Sequence, residues 1–589
     1  MVRNTTFIYA QLVKENRKNK DLKYPLYVRY DNKIFLLKRR IDEADNSTSY
    51  AIDRRVCNAI SITEIRNDII TKEKVCTLRY INLSGNEEEK EVSAELISDK
   101  SKIVSLSKYG VDINTKNSED VICHLNNEMR KAVMKRMISQ AGIVRWHNRF
   151  YYVGNKAIYK SKTLQTIKET SLQYVGKLNI SQKGSYEKYQ DMLKRDVLKS
   201  RYMSLALAIG ASSLIIGYIG NKLHISNLLI HISGESSSGK STALQLALSV
   251  FGGVGSADGK NSLFSSWNTT ENAMIEMLAN NMGIAVGLDE AGMSKSKEFA
   301  SLIYRLAEGK EKQRMEYGVG NKDIREWHTT IISTGEFLLD DVTDRATGQR
   351  VRLINLQGIP WTESAQHSQN IKSVLQGNYG FLGEMLARKL LERTPKYWYD
   401  RHHKEVEMLL PFLKCGVLND RVANHLAVIS LSAGLLRRVG VGVSQKSVRA
   451  ILVAVANDTM GENSSIGERA FEKLKEAIAR NQNKIEFRSH NGSPIRTIPM
   501  GDIWGVSYFQ DVPKNSSGSL DFDKMAMSNV SIQKETLDDF LRSNGFKNTD
   551  IIYNEWQSSG HLVMGKDNRL LHKVKMGNVK SALCVRIKL

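Results

Sequence analysis

The spacing of apolar residues changes character several times along this chain. Through about residue 125, short runs such as TFIYAQLV, YPLYVRY, KIFLLKRRI, TLRYINL and KEVSAELI alternate or cluster β-branched and aromatic side chains between Asn, Asp and Gly, which predicts strands. From Glu119 to Gln140 the apolar positions Val121, Ile122, Leu125, Met129 and Val133 recur at helical spacing, and AGIVRWHNRFYYVG then predicts a hairpin around Asn148. A helical pattern resumes over 185–210. From Asn227 to about Gln357 uninterrupted apolar runs (NLLIHISG, GIAVGLDE, TTIISTGE, VRLINL) alternate with helical stretches, as expected of a parallel sheet covered on both faces. Residues 365–480 are helical almost throughout. SHNGSPIRTIP (489–499) has the composition of a linker, and a further helix is expected near an N-cap at Ser531.

This pattern divides the chain into a β-rich N-terminal domain (1–125), a helical and hairpin connector (126–225), an α/β core (226–362), a helical lid (363–488) and a small C-terminal domain of winged-helix type (489–589). Met203–Gly220 carries no charge and approaches bilayer-spanning length. Its three serines and three glycines, and its run into the next strand, favour a helix buried against the sheet over a membrane span.

Composition narrows the function. Lys plus Arg number 85 against 63 Asp plus Glu, a net charge of +22, which favours a polyanionic partner: nucleic acid first, an anionic membrane surface second. The five cysteines are scattered without a CxxC pair, which argues against a zinc ribbon or disulfide framework and fits a reducing compartment. The first twenty residues lack the apolar stretch of a signal peptide, so a cytoplasmic protein is expected.

Chemistry enters at Gly234-Glu235-Ser236-Ser237-Ser238-Gly239-Lys240-Ser241, followed by Thr242. It matches G-x4-G-K-[ST] in the required setting, after a strand and opening a helix. Glycines allow successive backbone N–H groups to turn toward phosphates. Lys240 would reach the β- and γ-phosphates of ATP, and the Ser241 hydroxyl would ligate Mg2+. About fifty residues on, the strand GIAVGLDE delivers Asp289 as a second Mg2+ ligand and Glu290 as general base for an attacking water. Ser333 or Thr334, ending the next strand, would contact the γ-phosphate. Arg350, then Arg345, then Arg352 are candidates for an arginine acting on a neighbouring subunit's nucleotide, and Arg421 for a lid contact. Between the carboxylates and the third strand lies a basic segment with Lys310, Lys312, Arg314, Lys322 and Arg325 around Gly318 and Gly320. It predicts a hairpin that follows DNA phosphates, with Lys260 in an earlier insertion as a second contact.

Taken together, HISGESSSGKSTA, LDEAG, IISTGE and GQRVR, with VRWHNRFYYVG upstream, resemble the MCM-like replicative helicases of mobile genetic elements, notably those of staphylococcal cassette chromosomes and pathogenicity islands. The resemblance implies an AAA+ ring, a hexamer, that translocates on single-stranded DNA and unwinds duplex, with a C-terminal winged helix that helps read an origin. It also implies nucleotide binding by Lys240 and Ser241, hydrolysis at Asp289 and Glu290, and action of Arg350 in trans. The sequence departs from that pattern at the third strand, where the usual Asn is replaced by Ser333 or Thr334. Two other functions compete: a DNA-binding initiator that uses ATP only as an assembly switch, and a DNA-independent protein remodeller.

Overall fold

A computed structural model describes residues 26–589 apart from 42–47, 162, 164, 256–261, 295–298, 312–314, 317–319, 322–324, 340–352, 461–465, 490, 496–502, 510–526, 545, 547–548, 566–567 and 578. The chain forms two compact units. One comprises Met1–Gln140, Arg145–Arg149 and Glu169–Gly176; the other holds the remainder.

The first unit is built on a three-stranded antiparallel sheet (Leu26–Tyr30, Lys33–Ile41, Thr48–Asn58) and a five-stranded sheet. The latter runs Gln173–Tyr174, Val133–Ile138, Ile60–Asp68, Lys74–Ile81, Glu87–Ser93. Ile34, Ile62, Leu78, Ile97 and Leu125 share its buried core. The helix expected over Glu119–Gln140 spans only Ser118–Lys131. Ala132 leaves helical geometry, and Val133–Ile138 pairs in parallel with Glu64–Asp68. Backbone pairing with an available edge outweighs local helical spacing there. Likewise, KEVSAELI is only half strand: the Ser93 side chain accepts from Leu96 N and starts a short helix at Ala94. TFIYAQLV lies outside the described residues.

In the second unit the central sheet consists of β1 (Leu228–Ser233), β2 (Phe264–Ser266), β3 (Val286–Asp289), β4 (Thr330–Gly335) and β5 (Leu353–Gln357). Their order is β2-β3-β4-β1-β5, all parallel. Every residue of β1 and β4 is buried, which is why these strands read as unbroken apolar runs.

Helix α1 (Arg201–Leu223) contains the uncharged run, and 94% of its apolar window is buried inside the protein. Its polar atoms are satisfied internally. Ser212 Oγ lies 2.8 Å from Thr330 Oγ1 of the sheet, and Ser213 Oγ donates to Gly210 O at 2.9 Å. Its glycines serve close packing. A Cβ on Gly210 would stand 2.0 Å from the carbonyl oxygen of Ala247 in α2 (Lys240–Leu248), and one on Gly217 would stand 2.2 Å from Met282 O. Helix α1 therefore touches backbone at two places beside the sheet: the helix after β1 and the segment leading into β3.

The helical region includes α3 (Pro395–Leu409), α4 (Asn419–Arg438) and α5 (Gln445–Met460). They share a buried polar cluster in which Glu405 accepts from Ser430 Oγ and Gln445 Nε2, each at 2.8 Å, and pairs with Arg449 at 3.1 Å. Ser432 Oγ of α4 donates to Ala208 O of α1 at 2.6 Å.

The helix α6 (Ile466–Arg480) belongs to the C-terminal core. Its Phe471 and Leu474 share a cluster with Trp556, and Trp556 Nε1 donates to Gly467 O at 2.6 Å. That core therefore begins at Ile466, ahead of residue 489. It continues through β6 (Ile485–Ser489), β7 (Gly505–Phe509), β8 (Asn529–Gln533), α7 (Lys534–Ser543), α8 (Thr549–Ser558), β9 (Leu571–Met576) and β10 (Val579–Lys588), with sheet order β6-β7-β8-β10-β9. Ser531 is a strand residue, not an N-cap: it pairs with Arg586 across β10, and its hydroxyl accepts from Arg586 Nε at 3.3 Å. The stretch read as a linker begins as a turn within this domain, Ile495 N donating to Phe487 O at 2.8 Å.

Gly210→Val tests the close approach of α1. With backbone as the obstacle, the overpacking is expected to cost about 3 kcal/mol or more and to lower the thermal unfolding midpoint. An unchanged midpoint would contradict the packing described.

Candidate active site

Strand register gathers the predicted chemistry at one edge. Ser233 at the end of β1 pairs with Gly335 of β4, Ile232 with Thr334, and Leu288 of β3 with Ser333. The Gly234–Ser241 loop and the Asp289–Glu290 pair thus leave the same edge of the sheet, from strands flanking β4 and roughly 10 Å apart.

The loop turns by conformations that ordinary residues avoid: Ser237 has φ 68 and Gly239 φ 87. A side chain at 239 would meet Thr362 Oγ1 at 2.5 Å, so the glycine is required by space as well as by torsion. Gly239 caps α2 without a side-chain hydrogen bond. Lys240 Nζ lies over the loop and donates to the carbonyls of Gly234 and Glu235 at 2.8 and 2.7 Å. Ser238 Oγ is buried with no partner among the described residues. Ser236 Oγ donates to Glu336 at 2.7 Å, and Thr242 Oγ1 lies 2.7 Å from Ser368 Oγ. Ser241 is half-buried.

Thr334 joins the carboxylates to β4. Its Oγ1 donates to Asp289 Oδ1 and accepts from Glu290 N at 3.1 Å. Glu290 is left-handed (φ 61, ψ 68), a conformation costing a non-glycine residue about 1–3 kcal/mol, and the Thr334 bond helps to hold it there. Ser333 faces the other way. Its Oγ accepts from Trp267 Nε1 at 2.9 Å and lies 2.9 Å from His231 Nδ1, while His231 Nε2 lies 2.8 Å from Phe337 O. A carbonyl can only accept, so His231 carries its proton on Nε2. Ser333 then donates to Nδ1, and each hydrogen in the chain has one acceptor. Burial pushes the His231 imidazole down to about 4, with the nearby Lys240 charge acting in the same direction against its bond to Phe337.

His231, Trp267 and Glu336 were not singled out from sequence. The detectable signal was a histidine inside an otherwise aliphatic buried strand, a polar group that burial obliges to find partners.

Other predicted residues fall elsewhere. Arg421 is exposed in the first turn of α4, with no side-chain ion pair among the described residues. Lys310 and Arg325 stand at the base of a hairpin whose short strands are Met315–Glu316 and Gly320–Asn321. Both are engaged there: Lys310 with Glu326 at 3.2 Å, and Arg325 with Glu276 and, at 3.6 Å, Glu311. Lys260, Lys312, Arg314, Lys322, Arg345, Arg350 and Arg352 lie outside the described residues.

Comparison with known proteins adds to this geometry. A solved structure of the active helicase Cch of SCCmec type IV matches with a TM-score of 0.58 at 20% identity, covering 96% of this chain and 98% of that one. The fold is that of the Cch helicase. Residues 465–589 match the Cch helix-turn-helix domain, in agreement with a C-terminal core that opens at Ile466, and residues 33–324 match a domain of unknown function, DUF927. The C-terminal region of NrS-1 covers 74% of this chain at 12% identity with a TM-score of 0.23, too low to assert a shared fold. No curated protein matches the chain. The matched C-terminal residues contain α7 and α8, followed by the antiparallel pair β9 and β10.

The histidines predict an acid-labile fold. Like His231, His402 is pushed down to about 4 by burial. Both are neutral when folded and titrate near 6.5 when unfolded, so the unfolded chain binds more protons between these values. Stability is complete above about pH 6.5 and falls as pH drops toward about 4, by up to roughly 3 kcal/mol per histidine. Urea unfolding at about pH 7 and about pH 5 checks this, with His231→Asn expected to shrink the difference; an equal loss in that variant would remove His231 as a source.

Proposed function

We propose that this chain is an ATP-dependent DNA helicase with an AAA+ core, assembling as a hexameric ring in the manner the sequence resemblance implies, and serving replication of a mobile element. The observation that carries the reading is the meeting of the Lys240 loop, Asp289–Glu290 and Thr334 at one edge of a parallel sheet, with both acidic residues tied to Thr334 by its two hydrogen bonds. The Cch-type fold supports it.

The residues fit a magnesium-bound triphosphate. The backbone N–H groups opening α2 have no side-chain cap, Ser238 Oγ is buried without a partner, and Lys240 lies over the loop on carbonyls it can exchange for phosphate oxygens. Mg2+, held by Ser241 and Asp289, would neutralise phosphate charge. Lys240 orients the β- and γ-phosphates. Glu290, exposed beside them, takes a proton from the attacking water, and Thr334 aligns both carboxylate residues with β4. The buried Trp267–Ser333–His231–Phe337 chain keeps β4 in register with the end of β2 and with β1, so Thr334, rather than Ser333, is the residue facing the nucleotide. Arg350 acts on a neighbouring subunit's nucleotide, and the hairpin between Lys310 and Arg325 follows DNA in the channel. The helix-turn-helix domain is of winged-helix type and binds duplex, with the exposed amides Asn554 and Gln557 of α8 suited to base edges.

Lys240→Ala is expected to abolish both ATP turnover and strand displacement. Glu290→Gln should retain nucleotide binding while turnover falls about 10²- to 10⁴-fold. Unwinding that persists in the Lys240 variant, or turnover indifferent to single-stranded DNA in the parent, would reject the motor. The second outcome would favour an ATP-switched DNA-binding initiator.

A further inference from the structure

We propose that the helical region carries a second DNA-phosphate contact, centred on Tyr397 where the start of α3 meets the end of α4. The inference rests on DNA being the partner of this chain, but not on the catalytic residues, none of which it involves.

Tyr397 is surrounded by guanidinium groups. Arg393 and Arg438 lie over its ring at 5.3 and 5.7 Å from the centroid, and Arg438 also donates to its hydroxyl at 2.9 Å. The hydrogen bond from Arg438, with the charges of Arg438, Arg401 and Arg393, draws the phenol below its usual range against the opposing effect of burial. Arg437 and Lys396 are the next cations along the chain and are exposed. Among the described residues Arg393, Arg401, Arg437 and Arg438 have no ion pair, and Arg401 Nε is buried with no hydrogen-bond partner. Of the adjacent carboxylates, Glu392 is held by Lys389 at 2.7 Å, and exposed Asp400 lies 4.0 Å from Lys396, leaving the guanidinium groups without an acid of their own among the described residues.

Cations brought together without carboxylates repel one another, and a bound anion removes that cost. The negative end of α4 accounts for Arg437 and Arg438 but not for Arg393, just ahead of α3, or Arg401 within it. The group is also held rigidly, so little freedom is lost on binding. Tyr218 donates to the carbonyl of Arg393 at 2.8 Å, buried Trp398 donates to Leu390 O at 2.9 Å, and Arg438 stacks over Trp398 at 5.3 Å. Forked guanidinium donors match phosphate oxygens, and the phenol offers a ring at the height of a base. Regularly spaced phosphates fit several arginines distributed over two helices better than a single carboxylate does.

The test uses the full-length chain and labelled oligonucleotides, one single-stranded and one duplex of the same sequence, titrated with salt. Replacing Arg393, Arg401 and Arg438 together with Gln should weaken binding about 10- to 100-fold near 0.1 M salt and make the log–log salt slope shallower by about 2 to 3. The matching Lys triple variant should keep most of the slope, and ATP turnover without DNA should be unchanged in both. The oligonucleotide that loses affinity identifies the form of DNA engaged. Single Gln variants serve if the triple variant does not fold, each expected to lower the slope by about 0.7 to 0.9. A parental slope with both oligonucleotides overturns the proposal. So does a parental slope with altered sedimentation, which would assign the arginines to contact with another copy or an acidic protein segment. If the parent binds neither oligonucleotide, the DNA reading of the whole chain falls, and this inference with it.

Discussion

The second unit depends on how closely one apolar helix can approach the backbone around it. Helix α1 meets Ala247 of the helix following the phosphate-loop sequence, and Met282 just ahead of the strand bearing Asp289, through glycines that leave no room for a Cβ. Both contacts are backbone to backbone, so no rotamer change relieves an added methyl group. The same helix shares hydrogen bonds with β4 and with α4. One element thus fixes the spacing among the loop, the carboxylate strand and the helical region, and the polar edge of the sheet inherits its precision from an uncharged core.

Much of this was legible in the sequence, for identifiable reasons. Strands buried on both faces read as continuous apolar runs, and the loop and carboxylates could be assigned to strand ends because each follows such a run. The hairpin at Asn148 was legible as well, since His147 and Asn148 both adopt positive φ, which Asn tolerates well. At KEVSAELI a local cap at Ser93 ended the strand; elsewhere the reading failed where a non-local partner decided the outcome. Val133–Ile138 has helical spacing and becomes a strand because Glu64–Asp68 offers an edge. Ser531 looks like a cap and is a strand residue because β10 pairs with it. Helix α6 continues a helical region in sequence but buries Phe471 beside Trp556, some eighty-five residues further on. Alternation along β4 implied that Ser333 and Thr334 face opposite sides. Only the positions of Trp267, His231 and Asp289 say which side is which.

Charge reads differently in three dimensions. Lys310 and Arg325 looked like free cations at a hairpin, yet each meets carboxylates at its base. The arginines around Tyr397 are scattered over some forty-five residues and form no run in the sequence, yet they converge on one phenol. A linear tally of basic residues cannot separate cations that brace a structure from cations left available to an anion.

A threonine hydroxyl owns a single hydrogen. While that of Thr334 is committed to Asp289, its oxygen remains open to the amide of Glu290, and the two acidic residues are tethered through one atom. Turning this hydrogen to a different acceptor frees Asp289 while the oxygen still receives Glu290 N, whereas a change of the Thr334 side-chain rotamer carries the oxygen away from both. Asp289 can thus be released alone by the hydrogen, or together with Glu290 by the side chain, with no movement of a domain.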